Sequence, residues 1–335
     1  MIRIGIICPS EIAFRRFLPS LKLSEGFEYM GVAIASKEEF VGATDEILAK
    51  ERQKAQTFVD NYGGKIFEGY GTMISSNEID AIYLPLPPAL HFKWAEKALL
   101  NYKHVFVEKP STTSLSDTND LITIASQNHL ALHENYMFIY HSQLEEINNV
   151  VRSGEIGDVR IYRITFGFPR RDANDFRYNK SLGGGALLDA GGYCLKYANY
   201  LLGGNARIST AQANYLDEFE VDMYGSATMV NDEGEVAQLA FGMDNDYRCD
   251  IEIWGSKGTI TSGRILTAPA DFLPSYSIKK NQETIRYHLA PDDAFFKSIQ
   301  RFGACIKDEN TRKENYALLR KQEVLVEDFK RLSNL

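Results

Sequence analysis

Residues 1–23 read Met1-Ile2-Arg3-Ile4-Gly5-Ile6-Ile7-Cys8-Pro9-Ser10-Glu11-Ile12-Ala13-Phe14-Arg15-Arg16-Phe17-Leu18-Pro19-Ser20-Leu21-Lys22-Leu23. From Ile2 to Ile7 the chain is apolar but for Arg3, which suits a strand buried on both faces. A short polar turn follows. Ile12, Phe14, Phe17, Leu18, Leu21 and Leu23 then stand among basic residues, which predicts a helix over 12–23. Strand, turn and helix in that order open a βαβ unit, and the rhythm continues. Further strands are predicted over 29–35, 81–85, 104–107 and 130–134, with helices over 37–62, 71–77, 91–101 and 114–128.

After about residue 135 the pattern changes. Stretches 159–168, 208–216, 222–231, 236–244 and 249–253 are β-rich. Asp232-Glu233-Gly234-Glu235 reads as a hairpin loop, and Gly255-Ser256-Lys257-Gly258 as a turn before Thr259-Ile260. One helix stands apart over 185–202, preceded by Gly183-Gly184-Gly185. The tail predicts helices over 292–306 and 313–332, the first with Phe295, Phe296, Ile299, Phe302 and Ile306 at helical spacing. The fold class is therefore α/β: an N-terminal parallel-sheet domain over 1–128, then an α+β domain over 129–335 with an open-faced, mostly antiparallel sheet and the C-terminal helices.

Length agrees with two domains, since 335 residues exceed the usual size of one. At 44% hydrophobic and 24% charged, the composition excludes disordered, collagen-like and coiled-coil classes. Thirty-seven basic residues against 45 acidic give a net charge of −8, which argues against nucleic acid or anionic lipid as a partner. No apolar run approaches the roughly 18 residues of a membrane helix, and the start is too short in charge and apolar length for a signal peptide. The four cysteines, Cys8, Cys194, Cys249 and Cys305, are widely spaced without a CxxC. A cytoplasmic, membrane-free protein is the expectation. No metal site is expected: on a strand, His129 and His133 lie about 13 Å apart. The acidic run Asp217, Glu218, Glu220 and Asp222 reads as a solvated loop or strand edge.

The first turn occupies the place where a GxGxxG loop would bind a dinucleotide, but Cys8 and Ser10 replace its first two glycines and Ala13 the third. Ser10, Glu11 and Ile12 still stand where a helix N-terminus offers N–H groups to a phosphate. After the second strand come Ser36 and Lys37, where an acidic residue would hold a ribose 2′-hydroxyl and a basic one a 2′-phosphate. That favours NADP(H), with NAD(H) possible. A helix-capping serine beside a surface lysine is the competing reading.

Glu108-Lys109-Pro110 at a strand end, together with Gly183-Gly184-Gly185-Ala186-Leu187-Leu188-Asp189-Ala190-Gly191-Gly192-Tyr193, resembles the glucose-fructose oxidoreductase / inositol dehydrogenase / rhizopine catabolism family. The likeness covers nearly the whole chain. It includes Leu84-Pro85-Leu86-Pro87 with His91, Glu134-Asn135-Tyr136-Met137, and Trp254-Gly255-Ser256-Lys257-Gly258-Thr259, although Pro88 stands where an asparagine is common. The stretch 11–21, the stretch Thr267-Ala268-Pro269-Ala270-Asp271-Phe272 and Tyr193 in place of a histidine look most like nucleotide-diphosphosugar 3-ketoreductases. The resemblance implies an N-terminal Rossmann domain, a nicotinamide cofactor, a sugar or nucleotide-sugar substrate, and assembly into a homodimer or homotetramer through the open sheet.

It also implies site residues. Hydride transfer to a ketone leaves an alkoxide, which needs a proton donor and a positive group beside it. Tyr193 and Lys109 fill those roles, and an ammonium a few ångström from the phenol would lower its pKa from about 10. Asp189, four residues before Tyr193, is expected to bind a sugar hydroxyl. Cofactor contacts are expected from Ser10, Glu11, Ile12, Ser36, Lys37, Leu84, Pro85, His91, Glu108, Lys109, Asn135 and Arg177, the last also a candidate for substrate phosphate. The activity expected is an NADP(H)-dependent oxidoreductase working on a sugar carbon, in first place a keto group of a nucleotide-linked hexose. The lost glycines keep open a dinucleotide-binding sensor or repressor, and a dehydrogenase of free sugars or dihydrodiols is the third reading.

Overall fold

Ile4, Ile6 and Ile7 are fully buried in β1 (Ile2–Ile7), as a strand covered on both faces requires. The computed structural model describes residues 1–40 and 42–335. In it β1 is joined by β2 (Phe27–Ile34), β3 (Lys65–Glu68), β4 (Ala81–Leu84), β5 (His104–Glu108) and β6 (Leu132–Asn135). All neighbours pair in parallel, in the order β3-β2-β1-β4-β5-β6. The strand order reverses beside β1, so the loops after β1 and β4 open at the crevice where α/β sheets receive ligands.

The helices of this part are α1 (Leu18–Lys22), α2 (Asp45–Tyr62), α3 (Tyr70–Ser75), α4 (His91–Leu100) and α5 (Leu115–Gln127). The first predicted helix is present but starts as a π turn over Ala13–Phe17. Pro19, with no N–H to donate, stands just beyond it. The helix expected over 37–62 begins only at Asp45, where Thr44 Oγ1 accepts from Ile47 N; Val41 lies outside the described residues. β3 is an addition to the predicted elements. Its four residues, Lys-Ile-Phe-Glu, have too few apolar positions to show a period, and it sits at the sheet edge.

The remaining elements are α6 (Ser142–Arg152), β7 (Val159–Gly167), α7 (Gly192–Leu202), β8 (Arg207–Asn214), β9 (Tyr224–Val230), β10 (Val236–Gly242), β11 (Arg248–Gly255), β12 (Thr259–Gly263), β13 (Ser275–Lys280), β14 (Glu283–His288), α8 (Ala294–Lys307) and α9 (Glu309–Ser333). The eight strands form one sheet in the order β14-β13-β12-β11-β7-β10-β9-β8, antiparallel except for β7 beside β10. α7 packs on one face, where Cys194 Sγ approaches the Ala240 carbonyl and Tyr193 meets Phe166. The α/β class with a Rossmann-type parallel sheet and a mostly antiparallel open-faced sheet is as the residue pattern predicts.

The chain divides into two compact units, Met1–Asn135 with Phe295–Arg320, and Tyr136–Ala294 with Lys321–Leu335. The boundary expected after residue 128 moves to Asn135 because β6 pairs with β5 and completes the parallel sheet. The C-terminal helices do not all belong to the second unit either. Ser298 and Asn315 lie in the first, bonded to Asn135, His133 and the Leu132 carbonyl.

Candidate functional site

In the first unit, the loop after β1 places Cys8 at φ 78, the left-handed conformation that favours the glycine usual in this loop. Ser10 takes the place of a cap: its Oγ accepts from Ala13 N at 3.2 Å, and its carbonyl accepts from Phe14 N. The N–H groups of Glu11 and Ile12 belong to the opening turn, where a helix has no internal acceptors for them. The loop therefore keeps the two features a pyrophosphate needs, a left-handed bend and helix N-terminal donors, without any of its three glycines. The Glu11 carboxylate is exposed and pairs with Arg15 at 3.3 Å.

After β2, Lys37 Nζ lies 3.0 Å from Asp45 Oδ1, both largely exposed. Such a pair contributes little in water and is open to exchange for a stronger anion. Ser36 Oγ donates to Glu38 Oε2 at 2.8 Å, and Ser36 N donates to Glu39 Oε2. Glu39 also accepts from Tyr70 N and Gly71 N, which ties this loop to the start of α3. Ser36 and Lys37 thus stand together at the strand end on a braced loop, as a 2′-phosphate contact requires.

The ends of β4, β5 and β6 form a second bracket. Glu108 Oε1 accepts from Tyr83 Oη at 2.6 Å and from Asn135 Nδ2 at 2.7 Å. Burial holds the Glu108 carboxyl above its usual range, against the effect of those two donors. Asn135 Oδ1 accepts from Ser298 Oγ at 2.8 Å, so both ends of this fully buried amide are engaged. His91 is fully buried too, with its ring nitrogens each 2.7 Å from a carbonyl, those of Pro110 and Leu86. Burial lowers its pKa to about 4, so the ring is neutral near pH 7 and donates to one of the two. The Leu84 side chain is core, and Pro85 is buried beside it. The side chains of Leu84, His91 and Asn135 are taken up inside the unit, where they hold the strand-end loops. Lys109 follows β5 directly, before a cis bond to Pro110, and is partly exposed. Its segment is gripped on both sides, by Glu108 before it and, after it, by His91 on the Pro110 carbonyl and Glu134 Oε1 accepting from Ser111 N.

In the second unit, Tyr193 stands in the first turn of α7, 7% exposed. Its ring meets Tyr136 edge-on at 5.1 Å, Phe166 at 5.3 Å and Phe138 at 5.5 Å. A π turn over Leu187–Gly191 carries Asp189 immediately before it. Asp189 Oδ2 accepts from Arg177 Nε at 2.6 Å, and Arg177 Nη1 donates to both oxygens of Asp175. Burial opposes the Arg177 charge, but the two carboxylates keep it firmly protonated. Arg177 is thus one cation between two anions, and it orients Asp189.

The glycine motif now has a steric cause. A Cβ at Gly184 would lie 2.3 Å from the Arg177 carbonyl, and one at Gly185, where φ is 120, the same distance from Asp222 Oδ1. At Gly192 it would meet Tyr136 Oη at 2.1 Å. Asp222 is the piece that the residue pattern concealed. It is not solvated but 5% exposed, with Oδ2 accepting from Leu187 N at 2.7 Å, so it caps the π turn that carries Asp189. Burial pushes its carboxyl up to about 6. No group of three or more His, Cys, Asp or Glu among the described residues is arranged to hold a metal ion. His133 is buried against Ser298 and Asn315, and His129 sits in a turn at φ 55. No helix among the described residues is long and apolar enough to cross a membrane.

Comparison with known proteins agrees with both units. Residues 3–136 match the model described as "Oxidoreductase family, NAD-binding Rossmann fold", and 144–261 match the GFO/IDH/MocA C-terminal domain. A dTDP-3,4-didehydro-2,6-dideoxy-alpha-D-glucose 3-reductase of Streptomyces violaceoruber is 35% identical over 343 residues, covering 100% of this chain and 96% of its own. The enzyme of the same name from Saccharopolyspora spinosa is 34% identical, covering 91% and 88%. Among solved structures, a 3-ketoreductase from Actinomadura kijaniata in complex with NADP and TDP-benzene superposes with a TM-score of 0.89 at 31% identity, over 99% of this chain and 97% of that one. It has also been solved with a tyrosine replaced by phenylalanine and with a lysine replaced by alanine.

Proposed function

We propose that this chain, which belongs to the GFO/IDH/MocA oxidoreductase family, reduces a keto group of a nucleotide-linked hexose with NADP(H). One observation carries the reading. The tyrosine and lysine replaced in the Actinomadura enzyme stand as many positions apart as Tyr193 and Lys109 do here, at equal chain coverage. A protein that only sensed the dinucleotide would have no use for a phenolic acid and an ammonium at those places.

NADP(H), when bound, supplies or accepts the hydride. Ser36 and Lys37 take its 2′-phosphate, and the N–H groups of Glu11 and Ile12 take the pyrophosphate. Tyr193 gives its proton to the sugar oxygen as charge develops there, and the Lys109 ammonium stabilises that charge. Asp189, oriented by Arg177, accepts a bond from a sugar hydroxyl. The open face of the eight-stranded sheet, polar but carrying the half-exposed Trp254, is where a homodimer or homotetramer would form.

Titration with NADPH and NADH, followed by nicotinamide fluorescence, tests the cofactor half. NADPH binds more tightly, and Lys37→Asp moves the preference toward NADH. Lys109→Ala loses turnover by about 10²-fold or more while NADPH affinity stays within about threefold. Absence of any dinucleotide binding, or full turnover by Lys109→Ala, overturns the reading.

A further inference from the structure

In the second unit, among the described residues, two arginines rest on aromatic rings without a carboxylate partner. Arg170 is held by Glu218 and Asp244, Arg177 by Asp175 and Asp189, Arg163 by Glu252, and Arg248 by Asp250. Arg171 and Arg264 have no carboxylate partner among the described residues, although the chain carries an excess of acid and the exposed Asp172 and Asp271 follow them closely in sequence. Each instead lies over aromatic rings. Arg171 is 5.1 Å from the Phe168 centroid, and Arg264 is 5.8 Å from both Tyr247 and Phe272. Arg264 moreover sits at φ 54, an uncommon conformation for a residue other than glycine.

The fold brings both to one end of the sheet. Arg171 follows β7, Tyr247 precedes β11 and Arg264 follows β12, three adjacent strands with a total spacing of about 10 Å. Cys249 pairs with Phe166 in register, the Cys249 carbonyl accepts from Ile265 N, and Tyr247 Oη meets Thr267 Oγ1 at 3.3 Å. Tyr193 is at this same end, linked through Phe166 to Phe168, the ring beneath Arg171. Arg171 N donates to Tyr178 Oη, which joins the segment to the loop of Arg177 and Asp189.

We infer that Arg171 and Arg264 clamp the diphosphate of the nucleotide-linked sugar. Uncompensated guanidinium groups on aromatic supports have weak hydration and a fixed planar fork, suited to two-point bonding with phosphate oxygens. Tyr247 and Phe272 offer ring faces for the base beyond. The inference rests on the nucleotide-sugar reading and assigns the residues that distinguish such a substrate from a free sugar.

Calorimetric titration of the NADPH-loaded chain with thymidine diphosphate and thymidine monophosphate tests it. The wild type binds the diphosphate. Arg171→Gln and Arg264→Gln each weaken that binding by about tenfold or more, the value of one charged hydrogen-bond pair. They weaken the monophosphate less, leave NADPH affinity unchanged, and raise KM for a nucleotide sugar more than they lower kcat. Both side chains are exposed, and unchanged melting temperatures exclude a folding defect. Wild-type affinity in both variants overturns the clamp and leaves the nucleotide-sugar reading intact. Failure of the wild type to bind any nucleoside diphosphate, with turnover of free sugars, overturns that reading and the clamp with it.

Discussion

Asp222 shows how one side chain can govern a site it does not touch. Its carboxylate caps the turn before Tyr193, yet burial disfavours its charge and raises its pKa from 3.8 to about 6. The protonated form is thus favoured on folding. Its contribution is full below about pH 4 and is lost as pH rises through 6, about 3 kcal/mol across that window at most. Asp222→Asn keeps an oxygen acceptor for Leu187 N without the charge. Melting temperatures measured from pH 4 to 7.5 should therefore fall less with rising pH in the variant than in the parent; parallel curves would remove Asp222 from the account. In the sequence Asp222 looks like the last of four solvated acids, because its burial depends on Gly185, 37 positions earlier, leaving room for it. Lys109 and Tyr193 stand out in the sequence because each sits in a run whose neighbours are also constrained, Pro110 after the lysine and the glycines before the tyrosine. The partners of His91 and Asn135 were not legible: the Leu86 and Pro110 carbonyls, Glu108 and Ser298 take up their side chains, and all but Leu86 lie far along the chain.

At the scale of elements, strands with long apolar runs were readable, whereas short strands of mixed polarity were not. β3, β13 and β14 alternate apolar with charged or hydroxyl residues over four to six positions, a pattern shared with loops. The start of α7 is the element on which the proposed chemistry depends most. Its glycines let the π turn and first helical turn approach Tyr136 and Phe241 closely. Gly192→Ala should lower the melting temperature, since overpacking of this kind costs about 1–3 kcal/mol, and should lower turnover by displacing Tyr193. Adding Tyr136→Phe removes the oxygen in the way, and the double variant should recover much of the loss in stability. If Gly192→Ala melts as the parent does, close packing at this turn is not what the glycine is for.

At the scale of the whole molecule, the two units are not consecutive halves. The first is completed by residues 295–320, which supply Ser298 to Asn135 and His133, Asn315 to the Leu132 carbonyl, and Tyr316 to the Leu130 carbonyl. A fragment of residues 1–135 leaves β6 with buried polar groups unpaired, each costing about 1–3 kcal/mol. Circular dichroism should find it without a cooperative thermal transition, and a sharp transition would show that the sheet stands without that segment. The net charge of −8 excludes polyanions only in the mean. Lys37, Arg171 and Arg264 are local exceptions, and the proposal assigns each to a phosphate. The most direct test of the central claim is absorbance at the reduced-nicotinamide band when the chain is mixed with NADPH and a series of nucleotide-linked keto-hexoses and free sugars. The account predicts NADPH consumption with a nucleotide-linked ketone, reduced by about 10²-fold or more in Tyr193→Phe, and little with free sugars. NADPH that binds but is never consumed, or turnover unaffected by Tyr193→Phe, would contradict it.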